Sequence, residues 1–142
     1  MTHPAVTLCE IRDTPLDVAE VAAALEGEAA GGLTIFVGRV RDHDQGRGVT
    51  GLEYSAHPSA AARMSQVCDR VAEEYAVHGV AALHRVGTLA IGDVAVIVAT
   101  TSGHRGDAFT ATRALIDTLK AEVPIWKHQR FSDGGEEWVG SP

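Results

Sequence analysis

The sequence predicts a single α+β domain over residues 1–142, with a mixed, mostly antiparallel sheet and about three helices. The length suits one domain with one core. Short β-branched runs bounded by turn residues alternate with apolar stripes at helical spacing. These elements come in a mixed order, with hairpin signals and few helices, which favours the α+β class.

The N-terminal part of the chain predicts a strand, a short helix and a hairpin. Residues 6–11 alternate enough for a strand, and Asp17 is placed to cap a helix that carries an apolar stripe. Residues 33–37 are rich in β formers, and residues 51–55 are the predicted second strand of a hairpin with them. The polar, glycine-bearing segment 42–48 between them is expected to be a mobile loop.

The middle of the chain predicts a long helix and two strands. The helix starts at residues 58–59 and ends at 78–79, with an apolar stripe at 64, 67, 68, 71 and 75 that is expected to face the core. Residues 80–86 form the next predicted strand. Residues 94–100 are continuously apolar or β-branched, which predicts a central strand.

A third helix is predicted to follow residues 101–103 and to stop at Pro124, because the residue before proline avoids the α region. Its core face is predicted to be Phe109, Thr112, Leu115, Ile116 and Leu119. Residues 129–131 and 136–139 flank the turn residues 132–135, which predicts a closing hairpin.

Composition and charge argue against several classes of function. The net charge of −7 argues against nucleic acid as a partner. The longest wholly apolar stretch, Val94–Ala99, is far below the roughly 20 residues of a membrane span, and no secretory signal is recognised, so we expect a cytoplasmic protein. Cys9 and Cys68 lie in apolar patterns and are expected to be buried thiols. The seven histidines are dispersed, so no metal site is predicted.

Lysine is rare in this chain, which has only Lys120 and Lys127, at the junction between the third helix and the following loop. Lys120 could simply complement the helix dipole, and Lys127 could be a solvated charge. However, Val123, Ile125 and Trp126 would desolvate both ammonium groups, and desolvation and like charge lower a lysine pKa. The pair therefore favours proton transfer or nucleophilic chemistry.

Four other basic residues could form an anion site. His104 and Arg105 stand at the predicted N-terminus of the third helix, where free N–H groups favour an anion. Strand alternation would place Arg39 and Arg41 on one face, where they repel unless an anion or separate acids lie nearby. The nearest candidate acids are Asp42, Asp44 and Glu53. The alternative is a set of solvated surface charges.

The spacing of these groups adds a geometric prediction. Fifteen residues separate Arg105 from Lys120, so the two ends of the helix lie about 22 Å apart. One small substrate does not comfortably reach both ends. Either the helix breaks, or the pocket combines Lys120 of one subunit with His104 and Arg105 of another; we predict the latter.

Several segments, in order, resemble the large catalytic subunit of molybdopterin synthase, the MoaE family, from about Leu33 to Val139. They are Phe36–His43, Leu52–Tyr54 with His57-Pro58, His84–Gly87, Gly92-Asp93, Thr101–Arg105 with Phe109, and Pro124–Lys127. The resemblance implies an α/β-hammerhead fold, a homodimer, and a heterotetramer with a small ubiquitin-like sulfur carrier that ends in Gly-Gly. It also implies sulfur transfer from the carrier's thiocarboxylate to cyclic pyranopterin monophosphate, with no cofactor besides this sulfur donor.

The resemblance also assigns roles by position. It implies that Lys120 and Lys127 are the catalytic residues, and that the substrate-binding residues are Arg39, Arg41, His104, Arg105 and His128. We expect Lys120 to transfer a proton and polarise the thiocarboxylate carbonyl, and Lys127 to hold the phosphate or the sulfurated intermediate. Where the family often has glutamate, this chain has Gln129.

Three other functions remain open. An anion- or nucleotide-binding regulatory module would use the arginines and leave the lysines idle. A lysine Schiff-base enzyme would form a borohydride-trappable adduct on Lys120. A scaffold would bind another protein through its acidic surface.

Overall fold

The structure, a computed structural model, describes residues 2–140. In that range the elements are β1 (Val6–Arg12), α1 (Val18–Ala24), β2 (Gly32–Arg39), β3 (His43–Asp44), β4 (Arg47–Ala56), α2 (Ala60–Glu74), β5 (Gly79–Arg85), β6 (Gly87–Leu89), β7 (Val94–Ser102), α3 (Arg105–Glu122), β8 (Ile125–Phe131) and β9 (Glu136–Val139). All strand pairings except β1 with β5 are antiparallel. The predicted α+β class with three helices is confirmed.

The first sheet has the strand order β1-β5-β7-β2, with helices on both faces. Alternate residues of β5 and β7 point to opposite faces. Val80, Ala82, Val96 and Val98 pack with α2 and α3 on one face, and the intervening residues pack with α1 on the other. Because β7 is buried on both faces, its sequence is continuously apolar or β-branched. Its position inside the sheet confirms the predicted central strand.

The second sheet has the order β3-β4-β8-β9, with β6 also paired to β4. The predicted hairpin between residues 33–37 and 51–55 is wrong, because β2 pairs with β7 and β4 pairs with β8. The expected mobile loop at 42–48 is also wrong, because it folds as a tight hairpin. Gln45 and Gly46 both have positive φ there, of 52° and 77°, so β4 folds back on β3 instead of on β2.

Three other expectations need correction. Phe109 faces solvent, with 59% of its surface exposed, because α3 packs through Ala108, Ala111 and Leu115 on a neighbouring stripe. The second helix ends at Glu74 rather than at 78–79. Cys68 is fully buried as expected, whereas Cys9 is only partly buried.

The strand after Pro124 begins earlier than residue 129, where the sequence predicted its start. Strand β8 starts at Ile125, so Lys127 lies on a strand and not in a loop. Within residues 2–140, none of the helices combines the length and apolarity that a membrane crossing requires.

Candidate functional site

The two lysines, seven residues apart in sequence, meet in one cavity. Lys120 lies in the last turn of α3, Val123 caps that helix, and the chain then enters β8. Lys127 on β8 lies opposite Tyr54 of β4. Both lysines line a cavity of about 210 Å³, together with Tyr54, Ile125, Val139 and Gly140. The lysine pair predicted from sequence therefore exists as a spatial pair.

A second, larger cavity adjoins Lys120. It has a volume of about 410 Å³, and its lining includes Arg63 from α2 and the turn between α3 and β8. Lys120, Ile125 and Gly140 line both cavities. Lys120 is thus the cationic group common to two adjacent spaces, an arrangement that can present one amine to two reactants.

Electrostatics single out Lys120 among the basic residues. Burial lowers its pKa, and the positive charge of Lys127 lowers it further. The side chain still exposes more than a third of its surface, so the amine remains reachable from solvent. Within residues 2–140, neither lysine forms an ion pair with a carboxylate closer than 4 Å. Lys120 therefore gives up its proton more readily than an ordinary lysine does.

The residues that desolvate the lysine ammonium groups differ in part from those predicted. Successive residues of a strand point to opposite faces, so Trp126 lies on the other face of β8 from Lys127. Val123 and Ile125 line the cavities at Lys120, as predicted, whereas the Trp126 indole does not. Aliphatic side chains, not the indole, supply the apolar surroundings.

Two residues of this site were given no role from the sequence. His84 of β5 is buried, and its ring meets the Tyr54 ring edge-on with centroids 5.0 Å apart. Its Nδ1 donates to the Arg85 carbonyl oxygen at 2.8 Å, so Nε2 carries the lone pair in the neutral ring. Burial, with a contribution from the Lys120 charge, lowers the pKa of His84 to about 4. Burial also raises the Tyr54 pKa.

The buried imidazole predicts a pH-dependent stability. The folded protein keeps His84 neutral to about pH 4, whereas the unfolded chain takes up the proton near pH 6.5. The unfolded state binds more protons between these values, so stability falls as pH decreases from 6.5 to 4, by roughly 3 kcal/mol. Urea unfolding of wild type and His84→Gln at pH 7 and pH 4 measures this difference. Equal losses in both proteins would contradict it.

Arg39 and Arg41, at the end of β2, share one side of the chain as predicted, but only Arg41 pairs with one of the suggested acids. β2 ends at Arg39, and buried Val40 separates it from Arg41, so both arginines point away from the core. Arg41 lies 3.3 Å from Asp44, one of the acids suggested by the sequence. Among the described residues Arg39 has no ion pair within 4 Å.

The His104–Arg105 pair stands at the far end of α3. His104 is the N-cap, Arg105 is the first helical residue, and both side chains are exposed. The helix runs unbroken for 18 residues from there, so this pair lies about 22 Å from Lys120. One protomer therefore does not bring the pair to the lysine cavity.

His128 lies away from the lysines. It is on the opposite face of β8 from Lys127, and its ring stacks on Trp138 with centroids 4.5 Å apart. Its Nε2 is 3.7 Å from Glu136. Its role in substrate binding stays a prediction, and the geometry of one protomer offers it no support.

No metal centre is formed by the described part of the chain. Residues 2–140 contain no cluster of three or more His, Cys, Asp or Glu side chains placed to hold an ion. The chemistry that these residues themselves offer is proton transfer and anion binding by amines.

Known proteins are similar to this chain over most of its length. A family model described as "MoaE protein" matches residues 11–122. Molybdopterin synthase catalytic subunit 1 of Mycobacterium tuberculosis is 47% identical over 133 residues, covering 93% of this chain and 90% of that protein. The crystal structure of molybdopterin synthase from Staphylococcus aureus superposes with a TM-score of 0.86 at 34% identity, covering 93% of this chain and 96% of that one.

A more distant structure shares the fold. It is a protein–protein complex of subunits 1 and 2 of molybdopterin-converting factor from Helicobacter pylori, with a TM-score of 0.68 at 20% identity. The match covers 96% of this chain and 89% of that one.

Proposed function

Because this chain belongs to the MoaE family, we propose that it is the catalytic subunit of a molybdopterin synthase. It transfers sulfur from a thiocarboxylated, ubiquitin-like carrier protein to cyclic pyranopterin monophosphate and so builds the dithiolene of molybdopterin. The observation that carries this proposal is the cavity shared by Lys120 and Lys127, in which burial and like charge lower the Lys120 pKa.

The two lysines divide the chemistry between them. The ammonium form of Lys120 donates a hydrogen bond to the thiocarboxylate carbonyl and gives its proton to the leaving group as the sulfur is transferred. Water takes the place of sulfur on the acyl carbon, so the carrier leaves as its carboxylate. The lowered pKa of Lys120 makes that proton easier to release near neutral pH. Lys127, on the other wall of the same cavity, holds the phosphate or the sulfurated intermediate as a cation.

The adjacent cavities support a two-reactant site. A Gly-Gly tail has no side chains, so it can reach Lys120 through a narrow opening while the pterin occupies the neighbouring space. The thiocarboxylate at the end of that tail is an anion and is attracted by the lysines. We therefore propose a small sulfur-carrier subunit as the partner. The Mycobacterium tuberculosis relative is called a catalytic subunit, a name that implies a second kind of subunit.

A second copy of the chain completes the site in this proposal. α3 is unbroken, so His104 and Arg105 are too far from Lys120 to share one small substrate within a protomer. Phe36 of β2 and Phe109 of α3 expose 41% and 59% of their surfaces, α3 packs against β2, and β2 is an edge strand of its sheet. An exposed apolar patch next to a free strand edge favours association with another chain. A homodimer formed there, with two carriers, gives the heterotetramer.

Reconstitution tests the function directly. The purified protein, a thiocarboxylated carrier and cyclic pyranopterin monophosphate are expected to yield a dithiolene product, detected by mass spectrometry. The matched control replaces the thiocarboxylate with the ordinary carboxylate form of the carrier, which has no sulfur to transfer. Absence of the dithiolene with the active carrier would refute the proposal.

A lysine Schiff-base enzyme is the second candidate, because a lowered pKa also favours the neutral, nucleophilic form of Lys120. Borohydride treatment in the presence of the pterin separates the two, since only a Schiff base leaves a reduced adduct on Lys120. We also propose a cytoplasmic location, where reducing conditions suit the two free thiols of Cys9 and Cys68.

A further inference from the structure

A tight hairpin carries an acidic side chain toward the lysine site. β3 and β4 are joined through Gln45 and Gly46, both with positive φ. The Val49 N–H donates to the Asp42 carbonyl oxygen at 2.8 Å and closes the base of this hairpin. The turn therefore presents the last residue of β3, Asp44, in a fixed position.

The two oxygens of the Asp44 carboxylate serve two different partners. Oδ2 accepts a hydrogen bond from Gln129 Nε2 at 2.8 Å, and Oδ1 lies 3.3 Å from Arg41 Nη2. Gln129 is only 2% exposed and lies on β8 two residues after Lys127, on the same face of the strand. One carboxylate thus connects the buried sheet to a mostly exposed guanidinium.

The charges around this carboxylate belong to the proposed site. The Gln129 hydrogen bond lowers the pKa of Asp44, and the positive charges of Lys127 and Arg41 lower it further. Asp44 is therefore ionised at neutral pH, and its hydrogen bond to Gln129 holds it on the face of β8 that carries Lys127. An isolated surface ion pair contributes little to stability. Here, however, the carboxylate is held by the buried Gln129 amide, and a buried amide is costly to leave without a hydrogen bond.

We propose that Asp44 is a positioning residue, which, held by Gln129, keeps the Arg41 guanidinium beside Lys127 so that both cations converge on one anionic group of the substrate. Arg41 keeps free N–H donors after it pairs with one carboxylate oxygen, so it can bind the carboxylate and the ligand together. The proposal rests on the proposed function for its substrate, but the convergence of the two cations can be measured without turnover.

Exchanging the two side chains tests the arrangement. Asp44→Asn removes the charge that holds Arg41, and Gln129→Glu places two carboxylates against each other. Each single variant is expected to raise KM for the pterin about tenfold, with kcat within about threefold of wild type, because Lys120 is untouched. The double variant, in which amide and carboxylate exchange places, restores the hydrogen bond between positions 44 and 129 but not the charge beside Arg41. Its KM is therefore expected to stay raised, while its thermal stability returns toward that of wild type.

Inorganic phosphate is the probe that does not depend on turnover. Its affinity, measured by titration calorimetry, is expected to fall in each single variant and to stay low in the double variant. Asp42→Asn is the matched control, because the Asp42 side chain pairs with His43 on the exposed side of the same hairpin. This control is expected to leave KM and phosphate affinity unchanged.

Three results would overturn the proposal: unchanged or tighter phosphate binding in Asp44→Asn, a loss of kcat and thermal stability with unchanged KM, or wild-type phosphate binding in the double variant. If phosphate affinity follows the expected pattern but wild type forms no dithiolene, the positioning role stands and the proposed function fails. If wild type forms the dithiolene and the variants do not alter KM or phosphate binding, the positioning role fails and the function stands.

Discussion

Lys120→Ala is expected to reduce dithiolene formation by a factor on the order of 10² to 10⁴, the range associated with loss of a proton-transfer group. The fold should be retained, because the side chain is exposed at the end of α3 and contributes to a cavity wall rather than to the core. Lys120→Arg is expected to fail as well, since a guanidinium does not release its proton at neutral pH. Single-turnover mass spectrometry of the product measures both variants.

The matched control for this experiment lies on the same helix. Arg113 is a cationic residue of α3 whose side chain is 85% exposed and pairs only weakly with Asp117. Arg113→Ala is expected to keep wild-type activity. Wild-type turnover in Lys120→Ala would remove the lysine from the chemistry and favour the anion-binding module.

The protonation of Lys120 can be observed directly, because the chain has only two lysines. A protein labelled at the lysine ε-carbon gives two side-chain signals, and the Lys120 signal is expected to titrate below 10.5. Removing the neighbouring charge with Lys127→Met is expected to move that titration upward, because like charge stabilises the neutral amine. A Lys120 pKa that does not change in this variant would contradict the electrostatic coupling.

Mixing two inactive variants is expected to restore activity, because the proposed pocket takes residues from two subunits. Lys120→Ala and Arg105→Ala homodimers each lack one essential group in both pockets. A mixed dimer has one pocket with both groups intact and one with neither. After random exchange about half of the dimers are mixed, so about a quarter of the wild-type sites should return.

The alternative arrangement gives a different result. If Lys120 and Arg105 served the same pocket within one subunit, every pocket of a mixed dimer would lack one of them and activity would not return. Mixing Lys120→Ala with Lys127→Ala is the control, since these lysines line one cavity of one protomer and should not complement each other. Recovery in the control and none in the test mixture would overturn the shared pocket.

Local sequence signals predicted most of the elements but not their partners. The β-branched runs and apolar stripes identified the central strand β7 and the three helices, because burial imposes its own period on a sequence. Which strands pair depends on contacts between distant parts of the chain, and the spacing of apolar residues does not specify them. The hairpin between residues 33–37 and 51–55 was therefore predicted wrongly, since the positive φ values at Gln45 and Gly46 make β4 turn back earlier.

The lysine pair could be predicted because the chain has only two lysines and they lie on either side of Pro124, where the third helix ends. The surroundings of the pair were not, since they come from distant segments. Tyr54 is brought opposite Lys127 by pairing of β4 with β8, and His84 reaches the same place from β5. Strand alternation also placed Trp126 and His128 on the other face of β8 from Lys127.

By itself the sequence determined the fold class, the two amines and the distance along α3, since each depends on residue type and local spacing. Only the tertiary structure decided that the amines share a cavity, that burial lowers the pKa of Lys120, and that Asp44 meets Gln129 and Arg41. Solvation and charge act through space, and the neighbours that set them are contributed by strands far apart in the chain.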